Sequence, residues 1–261
     1  MANPFIGHGY YVENGTVTTG NELATLPATN LQNMQPSKRW RTSGVLNAWV
    51  QVDLGSAKAI DFAAIISHNG AAADTWQIRA SSDGTPATVP DYDSGSQNLF
   101  PSATKPSEAW RTHYDSHYVF ASTQTWRYWR CDFTIAGSYF EAGVLLLGLR
   151  QQITLAYPFS RRYAPADIVE NTPDGGTVTE PRGRPRAWNF IVNLLDETTE
   201  MAIDGLDALR GIGDAVYCVE NPDATTWLHR QSLYGLIEQA TPLDRPDYGI
   251  REKRYYLREL I

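Results

Sequence analysis

The chain has 261 residues, of which 42% are hydrophobic and 20% charged, and this length suits one large domain or two medium ones with a buried core. Lysine and arginine number 22 against 29 acidic residues, so the net charge is −7, and no basic block gives the electrostatic footprint of a general DNA-binding protein. The apolar runs, such as residues 144–147, are far too short to cross a bilayer, and no secretory signal pattern is expected. A membrane-spanning, collagen-like or largely disordered protein is therefore not expected.

Three segments in the first 150 residues alternate apolar with polar side chains. Residues 49–54 (WVQVDL) and 76–81 (WQIRAS) show this alternation, and residues 126–133 alternate aromatic with charged or polar side chains. Gly55 is expected to end the first of these segments, since glycine commonly marks a turn. The three segments predict strands with one buried face.

Two further segments, residues 60–67 and 143–149, are nearly continuous apolar runs, which are typical of strands covered on both faces. Residues 83–109 contain glycine and proline at short intervals and predict loops with little regular structure. Several short strands without a convincing helix favour a β-sandwich over residues 1–150.

Residues 151–261 have a different pattern, and we predict a second domain there. A helix is predicted over residues 196–210, because Asp196, Glu197 and Glu200 crowd its first turn, where the helix dipole favours negative charge. Gly211 supplies the stop. We expect a mainly β chain whose second domain is a small β-barrel or sandwich with one helix. Its strands are predicted at residues 153–159, 187–195, 215–219, 232–240 and 251–260.

The motifs that mark common enzyme active sites are absent from the sequence. It has no phosphate-binding loop, no GxGxxG after a strand, no HExxH and no GxSxG. A sugar-active hydrolase would need two carboxylates at catalytic separation in a cleft, which a sequence does not reveal. We expect a protein without catalytic activity.

The residues that most often bind metals are sparse or widely spaced. Cys131 and Cys218 each lie in an apolar or aromatic run and predict buried, reduced thiols rather than a disulfide or a metal cluster. His113, Asp115 and His117 have a spacing that metals accept, but their surroundings favour polar residues of a loop that leads into a strand. We predict no metal site and no cofactor.

A turn-rich, locally basic stretch at residues 172–186 contains alternate arginines, Arg182, Arg184 and Arg186. In an extended segment they would project from one side, where they could pair with acidic residues of a neighbouring subunit or line a channel for a polyanion. The alternative is a solvated loop. Because a free loop of this length is entropically costly, we predict that this arm contacts another subunit.

The first part of the chain resembles a known family. Residues 40–44 (WRTSG) followed by residues 49–55 (WVQVDLG) are similar to the discoidin-like (F5/8 type C, galactose-binding-like) jelly roll, and the resemblance covers most of residues 30–150. It implies a β-sandwich and leaves room for a structural calcium ion, which no residue pattern indicates. The paired end cysteines of secreted members are missing here, which fits an assembly made inside a cell.

Residues 151–261 resemble a second fold in the order of their predicted elements: strand, long arm, strand, helix with an acidic start, and further strands. This order is similar to the tail-tube fold of long-tailed bacteriophages, which occurs in tube subunits and in distal tail proteins. The resemblance implies that strands within residues 187–260 complete their backbone pairing with other copies of the chain.

Together the two resemblances imply a structural component of a phage tail tip or baseplate, of the distal tail type. The expected assembly is a ring, a hexamer by resemblance, that joins the tail tube to the tip complex and lets DNA pass as cargo through its lumen. Its partners would be the tube and the tail-tip hub proteins, and its location the virion tail, assembled in the host cytoplasm. The sandwich domain would contact other tail proteins or host-surface glycan.

A carbohydrate-binding module of an adsorption device is the alternative function. In that case loop residues Trp40, His68, Asn69 and Trp76 would contact sugar, since aromatic rings stack on sugar rings and a loop at the end of a core strand often carries binding residues. His68 and Asn69 would equally suit a polar cap of the strand, and core packing explains most aromatic residues.

Overall fold

The computed structural model of this chain describes residues 3–8, 10–106, 111–164, 167–171, 173–180, 183–194, 196–225, 227–247 and 250–261. Within these residues β-structure predominates, which confirms the mainly β fold class. None of the helices in the described ranges is long and apolar enough to span a membrane. The strands are β1 (Phe5–His8), β2 (Thr16–Thr19), β3 (Trp40–Arg41), β4 (Trp49–His68), β5 (Thr75–Ser81), β6 (Tyr92–Asn98), β7 (Tyr114–Thr134), β8 (Glu141–Ala142), β9 (Val144–Gln152), β10 (Thr154–Tyr163), β11 (Ile168–Asn171), β12 (Thr177–Glu180), β13 (Arg186–Asn193), β14 (Ala215–Val219), β15 (Ser232–Ala240), β16 (Asp244–Asp247) and β17 (Ile250–Glu259).

The described helices are α1 (Glu197–Arg210) and the single turn α2 (Leu228–Gln231), and short 3-10 turns occur at Tyr11–Asn14, Ala28–Gln32 and Pro101–Ala103. The predicted helix is confirmed as α1. Asp196 is its N-cap, and its carboxylate accepts a hydrogen bond from the Thr199 amide at 2.7 Å. The short helix α2 was not predicted.

The chain divides into two compact units. The first contains Met1–Gln152 and Cys218–Ser232, and the second contains Ile153–Tyr217 and Leu233–Ile261. The sequence prediction assigned residues 218–232 to the second domain, whereas the structure groups them with the first unit.

The first unit is organised by β4, which pairs antiparallel with β7 along one edge and with β2 and β9 along the other. Strand β1 adds to β9, and β5 lies between β7 and β6. Alternate residues of β4, including Val50 and Val52, are buried. Both free cysteines are buried, as predicted. The large side chains that fill this core include Trp40, Trp76, Trp129, Phe120 and Phe140.

Two predictions for this unit are wrong. Gly55 does not end a strand: it adopts a φ of +73°, the pairing register shifts between Asp53 and Lys58, and β4 continues to His68. A left-handed glycine here produces an irregularity within one strand instead of a turn. Residues 83–109 are not all loop, because β6 pairs with β5. Residues 107–110 lie outside the described residues.

The second unit has an antiparallel sheet in the order β10, β13, β17, β15, with β16 added to β17. Ile203 and Leu206 of α1 are buried. The Asp207 carboxylate on the same helix accepts hydrogen bonds from Tyr255 at 2.8 Å and from Lys253. Over the described residues this sheet is an open path that ends at β10, so of the two expected forms, barrel or sandwich, a closed barrel is not formed.

Gly143 marks a close approach between two backbone segments of the first unit. A Cβ atom at this position would lie 2.5 Å from the Pro36 carbonyl oxygen and 2.7 Å from the Pro36 Cα. The clash is with backbone, which cannot rotate away as a side chain can, so Gly143→Ala should lower the free energy of unfolding by about 1–3 kcal/mol. Urea denaturation followed by tryptophan fluorescence measures the change.

Gly137→Ala is the matched control, since the nearest atom to its Cβ would be 3.9 Å away. An equal loss of stability in both variants, or none in Gly143→Ala, would contradict this account of the contact.

Candidate functional site

The first unit carries a polar cluster built on the pairing of the two short strands β3 and β8. Arg41 lies directly opposite Glu141 and Trp40 opposite Ala142. Because successive side chains of a strand point to opposite faces, Arg41 and Glu141 share one face while Trp40 enters the core. The members of this Glu141 cluster are Arg39, Arg41, Asn69, Lys105, Arg111, His113, Asp115, Tyr139 and Glu141.

Glu141 is the centre of the cluster. Its buried carboxylate contacts the guanidinium of Arg41 at 2.7 Å, Nε2 of His113 at 2.7 Å and the guanidinium of Arg39 at 3.4 Å. Burial alone would raise the pKa of Glu141, but the hydrogen bonds from His113 and Arg41 outweigh it and hold the pKa below its usual value. Glu141 is thus a fixed anion that orients two arginines.

His113 immediately precedes β7, and burial lowers its pKa despite the opposing effect of Glu141. The neutral ring then donates from Nε2 to Glu141, while its Nδ1 accepts from the Thr112 hydroxyl at 2.9 Å. The backbone oxygen of His113 accepts a hydrogen bond from Nε of Arg111 at 2.8 Å. Arg111 also contacts Asp115 at 3.5 Å, which extends the cluster to the start of β7.

Asn69 joins the cluster from the end of β4. The side-chain oxygen of Asn69 accepts a hydrogen bond from the backbone amide of Glu141 at 2.9 Å, and the backbone amide of Asn69 donates to the backbone carbonyl of Glu141 at 3.1 Å. Lys105 donates to the carbonyl oxygens of Asn69 and Gly70 at 3.2 and 2.7 Å. The Arg41 guanidinium stacks on the ring of Tyr139 at 4.2 Å, and 38% of Tyr139 is exposed.

Of the four predicted sugar-contacting residues, only Asn69 lies in this polar cluster. Trp40, His68 and Trp76 expose at most 1% of their surface. They cannot stack on or hydrogen-bond to an external sugar, so their assignment as sugar contacts is corrected. Trp76 packs against Phe133 in the core.

His68 is a buried polar cap at the end of β4. Its Nε2 lies 2.8 Å from the Ser116 hydroxyl, and its Nδ1 accepts from the Gly70 amide at 3.2 Å. Burial lowers the pKa of His68 to about 3, with a further contribution from Lys105. Of the two alternatives for this residue, the structure therefore favours the structural one.

The second unit presents a different candidate surface, at the edge of its sheet. Strand β10 pairs only with β13 in the sheet order of the described residues, so its other edge carries no strand. Most of its side chains are exposed, and Tyr157 is 96% exposed. Pro158 and the register shift between Ala156 and Ser160 interrupt this edge. On either side of the interruption, an edge without a neighbouring strand is a template for pairing with another chain.

Strands β11 and β12 form a hairpin, of which β12 lies in the predicted arm (residues 172–186) and β11 directly precedes the arm. Val169 pairs opposite Thr179 and Glu170 opposite Val178, so each face of the hairpin carries one valine. Val169 is 61% and Val178 59% exposed. A two-stranded hairpin with both faces in water is marginally stable by itself.

The three predicted subunit-contact arginines separate in the structure. Arg184 is exposed and lies 3.4 Å from Asp167. Arg186 is buried and forms a 2.5 Å ion pair with Glu259, so its assignment as a subunit contact is corrected: it joins β13 to β17 within the unit. Arg182 lies outside the described residues.

Among the described residues, no group of histidine, cysteine and carboxylate side chains could hold a metal ion. His113 and His117, whose spacing metals would accept, have different surroundings. His113 contacts Glu141, whereas His117 packs edge-on against Phe5 with ring centroids 5.9 Å apart.

Comparison with known proteins gives matches only among solved structures, since no family model and no curated protein matches the chain. The chain is similar to chitosan-binding module 1 of a chitosanase/glucanase from Paenibacillus sp. IK-5, with 18% identity, a TM-score of 0.40, and 54% of this chain and 98% of that chain covered. The family 32 carbohydrate-binding module of C. perfringens NanJ, in complex with galactose, has 17% identity, a TM-score of 0.40, and 53% and 96% covered. A Streptococcus pneumoniae fucose-binding module has 9% identity, a TM-score of 0.40, and 54% and 94% covered.

The burial of His68 predicts a pH dependence. Below pH 6.5 the unfolded chain binds a proton at His68, whereas the folded protein does not until about pH 3, so stability is lost as the pH falls through this interval. The free energy of unfolding should fall with a slope of up to about 1.4 kcal/mol per pH unit from this residue. Chemical denaturation at several pH values between 7 and 4 measures the slope.

His68→Gln removes this proton site and should give a flatter profile, even if its stability is lower throughout. Parallel profiles for the two proteins would contradict the assignment. His117, whose pKa burial lowers to about 4, is present in both proteins and leaves a residual slope in each.

Proposed function

We propose that this chain is a structural subunit of a phage tail tip, of the distal tail type, that assembles with copies of itself into a ring joining the tail tube to the tip complex. The observation that carries the proposal is the open β10 edge together with the exposed β11–β12 hairpin. The resemblance of the sequence to tail-tube proteins supplies the biological setting, including the hexamer, the virion location and DNA as passing cargo.

The edge and the hairpin are the kinds of surface that a head-to-tail ring needs. Such a ring joins two different surfaces of the same chain, one donated and one accepting. Within the described residues, β10 has a neighbouring strand on one side only and carries Arg162, while the hairpin carries Glu170. This complementary charge favours contact between copies of the chain.

The location of the open edge revises the expected mode of assembly. Strands β13, β15 and β17 were expected to find partners in other copies, but they pair with one another inside the chain. Residues 154–163, which form β10, provide the edge instead. Ring formation would then add a strand beside β10 and leave the pairing of β13, β17 and β15 unchanged.

A variant of the hairpin tests the assembly. The wild-type chain should sediment as an oligomer, and the double variant Val169→Asp, Val178→Asp should shift to the 29.1 kDa monomer, because charge replaces the apolar contact on both hairpin faces. Sedimentation velocity at several protein concentrations measures the distribution.

Val89→Asp is the matched control, since Val89 is 67% exposed and lies in the first unit. It should sediment as the wild type does. A wild-type chain that stays monomeric at high concentration would overturn the proposal, as would dissociation of the control to the same extent.

A second candidate function, binding of carbohydrate by the first unit, is favoured by the Glu141 cluster. Sugar recognition needs several planar polar side chains held in fixed orientations beside an exposed aromatic ring. Arg41, Asn69 and His113 are held by Glu141, and Tyr139 supplies the ring. The two functions are compatible, because a tail subunit can carry a glycan-binding unit.

A further inference from the structure

The Glu141 cluster has an excess of positive charge on an acidic protein. Four cations, Arg39, Arg41, Lys105 and Arg111, lie around Glu141. Two further carboxylates among the described residues act on them: Asp115 contacts Arg111, and the charge of Asp74 acts on Lys105, so the cations remain in excess. The whole chain has a net charge of −7. The local field therefore has the opposite sign to that of the molecule.

Both carboxylates of the cluster are occupied from within the protein. Glu141 is held by Arg41, His113 and Arg39, and Asp115 accepts the Ser67 amide at 2.9 Å as well as contacting Arg111. An ionised Glu141 next to a neutral His113 leaves the balance of the cluster positive near pH 7.

The two arginines at the centre keep part of their binding capacity. The side chains of Arg39 and Arg41 remain 32% and 34% exposed. Arg39 contacts Glu141 only at 3.4 Å, through Nη1, and its side chain is partly exposed. A guanidinium presents five donors in a planar fork that matches a carboxylate, so an external carboxylate could be bound here.

We propose that the Glu141 cluster binds a saccharide that carries a carboxylate, such as a uronic or sialic acid residue. Arg39 and Arg41 hold the carboxylate, and the face of the Tyr139 ring that Arg41 does not cover lies against the apolar face of the sugar. This inference rests on the second proposed function and names the class of glycan. The exposed ring beside the arginines favours a sugar over an acidic peptide, which needs no aromatic platform.

Matched pairs of saccharides test the proposal by calorimetric titration of the full chain. A galacturonic acid trisaccharide is compared with a galactose trisaccharide, and sialyllactose with lactose, so that uronate and sialate are distinguished. At about 50 mM salt the acidic member of at least one pair should bind about tenfold more tightly, and this advantage should shrink at about 300 mM salt because the charges are screened.

Arg39→Gln should weaken binding of the acidic saccharide about tenfold and so bring it close to that of the neutral one. Glu141 stays paired with Arg41 and His113 in this variant. Lys58→Gln is the control: it makes the same change in net charge within the first unit, where Lys58 lies beside Tyr11 and outside the cluster. Its affinity for the acidic saccharide should equal that of the wild type.

Each other outcome overturns the proposal in a distinguishable way. Equal or better binding of the neutral saccharides refutes the acidic class but supports glycan binding, and no binding of any saccharide refutes both. Binding of hexaglutamate as tightly as the acidic saccharide shows a general anion surface and refutes the saccharide. None of these results bears on ring assembly, which sedimentation tests separately.

Discussion

Each β-strand has backbone hydrogen-bonding groups along two edges. Whether both edges are paired within the chain determines where another copy could add a strand. In the first unit, β4 is paired along both edges, by β7 on one side and by β2 and β9 on the other. In the second unit, β13 and β17 are paired on both sides, whereas β10 has a partner on only one side within the described residues. Assembly is therefore expected where pairing is incomplete.

The two candidate surfaces depend on different forces. At the β10 edge and the β11–β12 hairpin, backbone hydrogen bonds and the burial of Val169 and Val178 would stabilise a contact between copies. In the Glu141 cluster, the interaction would be one of charge, because Glu141 fixes Arg41 and leaves the cations in excess. Salt would weaken the second kind of contact far more than the first. A single chain can thus carry an assembly surface and a ligand surface that respond separately to conditions.

Local patterns in the sequence predicted local structure well. The acidic first turn and the glycine stop predicted α1, and period-two alternation predicted β5 and the start of β4. Gly55 misled the prediction because a glycine with positive φ serves equally in a turn and in a strand irregularity. Strand β6 was missed because its sequence, YDSGSQN, is polar and contains a glycine, and only its pairing with β5 makes it a strand.

The functional surfaces were harder to predict because they depend on contacts between distant parts of the chain. Arg41 and Glu141 are brought together by the β3–β8 pair, which no local pattern indicates. Trp40 was proposed as a sugar contact although it is the inward neighbour of Arg41, one position away on a strand of only two residues. A one-residue difference in a strand decides between core and surface. Strand β12 of the arm was not predicted, because its pairing with β11 is not indicated by its own residues.

Hydrogen exchange of the β10 amides as a function of protein concentration is the most direct test of assembly through this edge. If copies pair there, the β10 amides that do not bond to β13 should exchange slowly at high concentration and faster on dilution. The amides of β17, which is paired on both sides within the chain, should not change. Exchange of β10 at one rate at every concentration, in a chain that remains folded, would contradict the account.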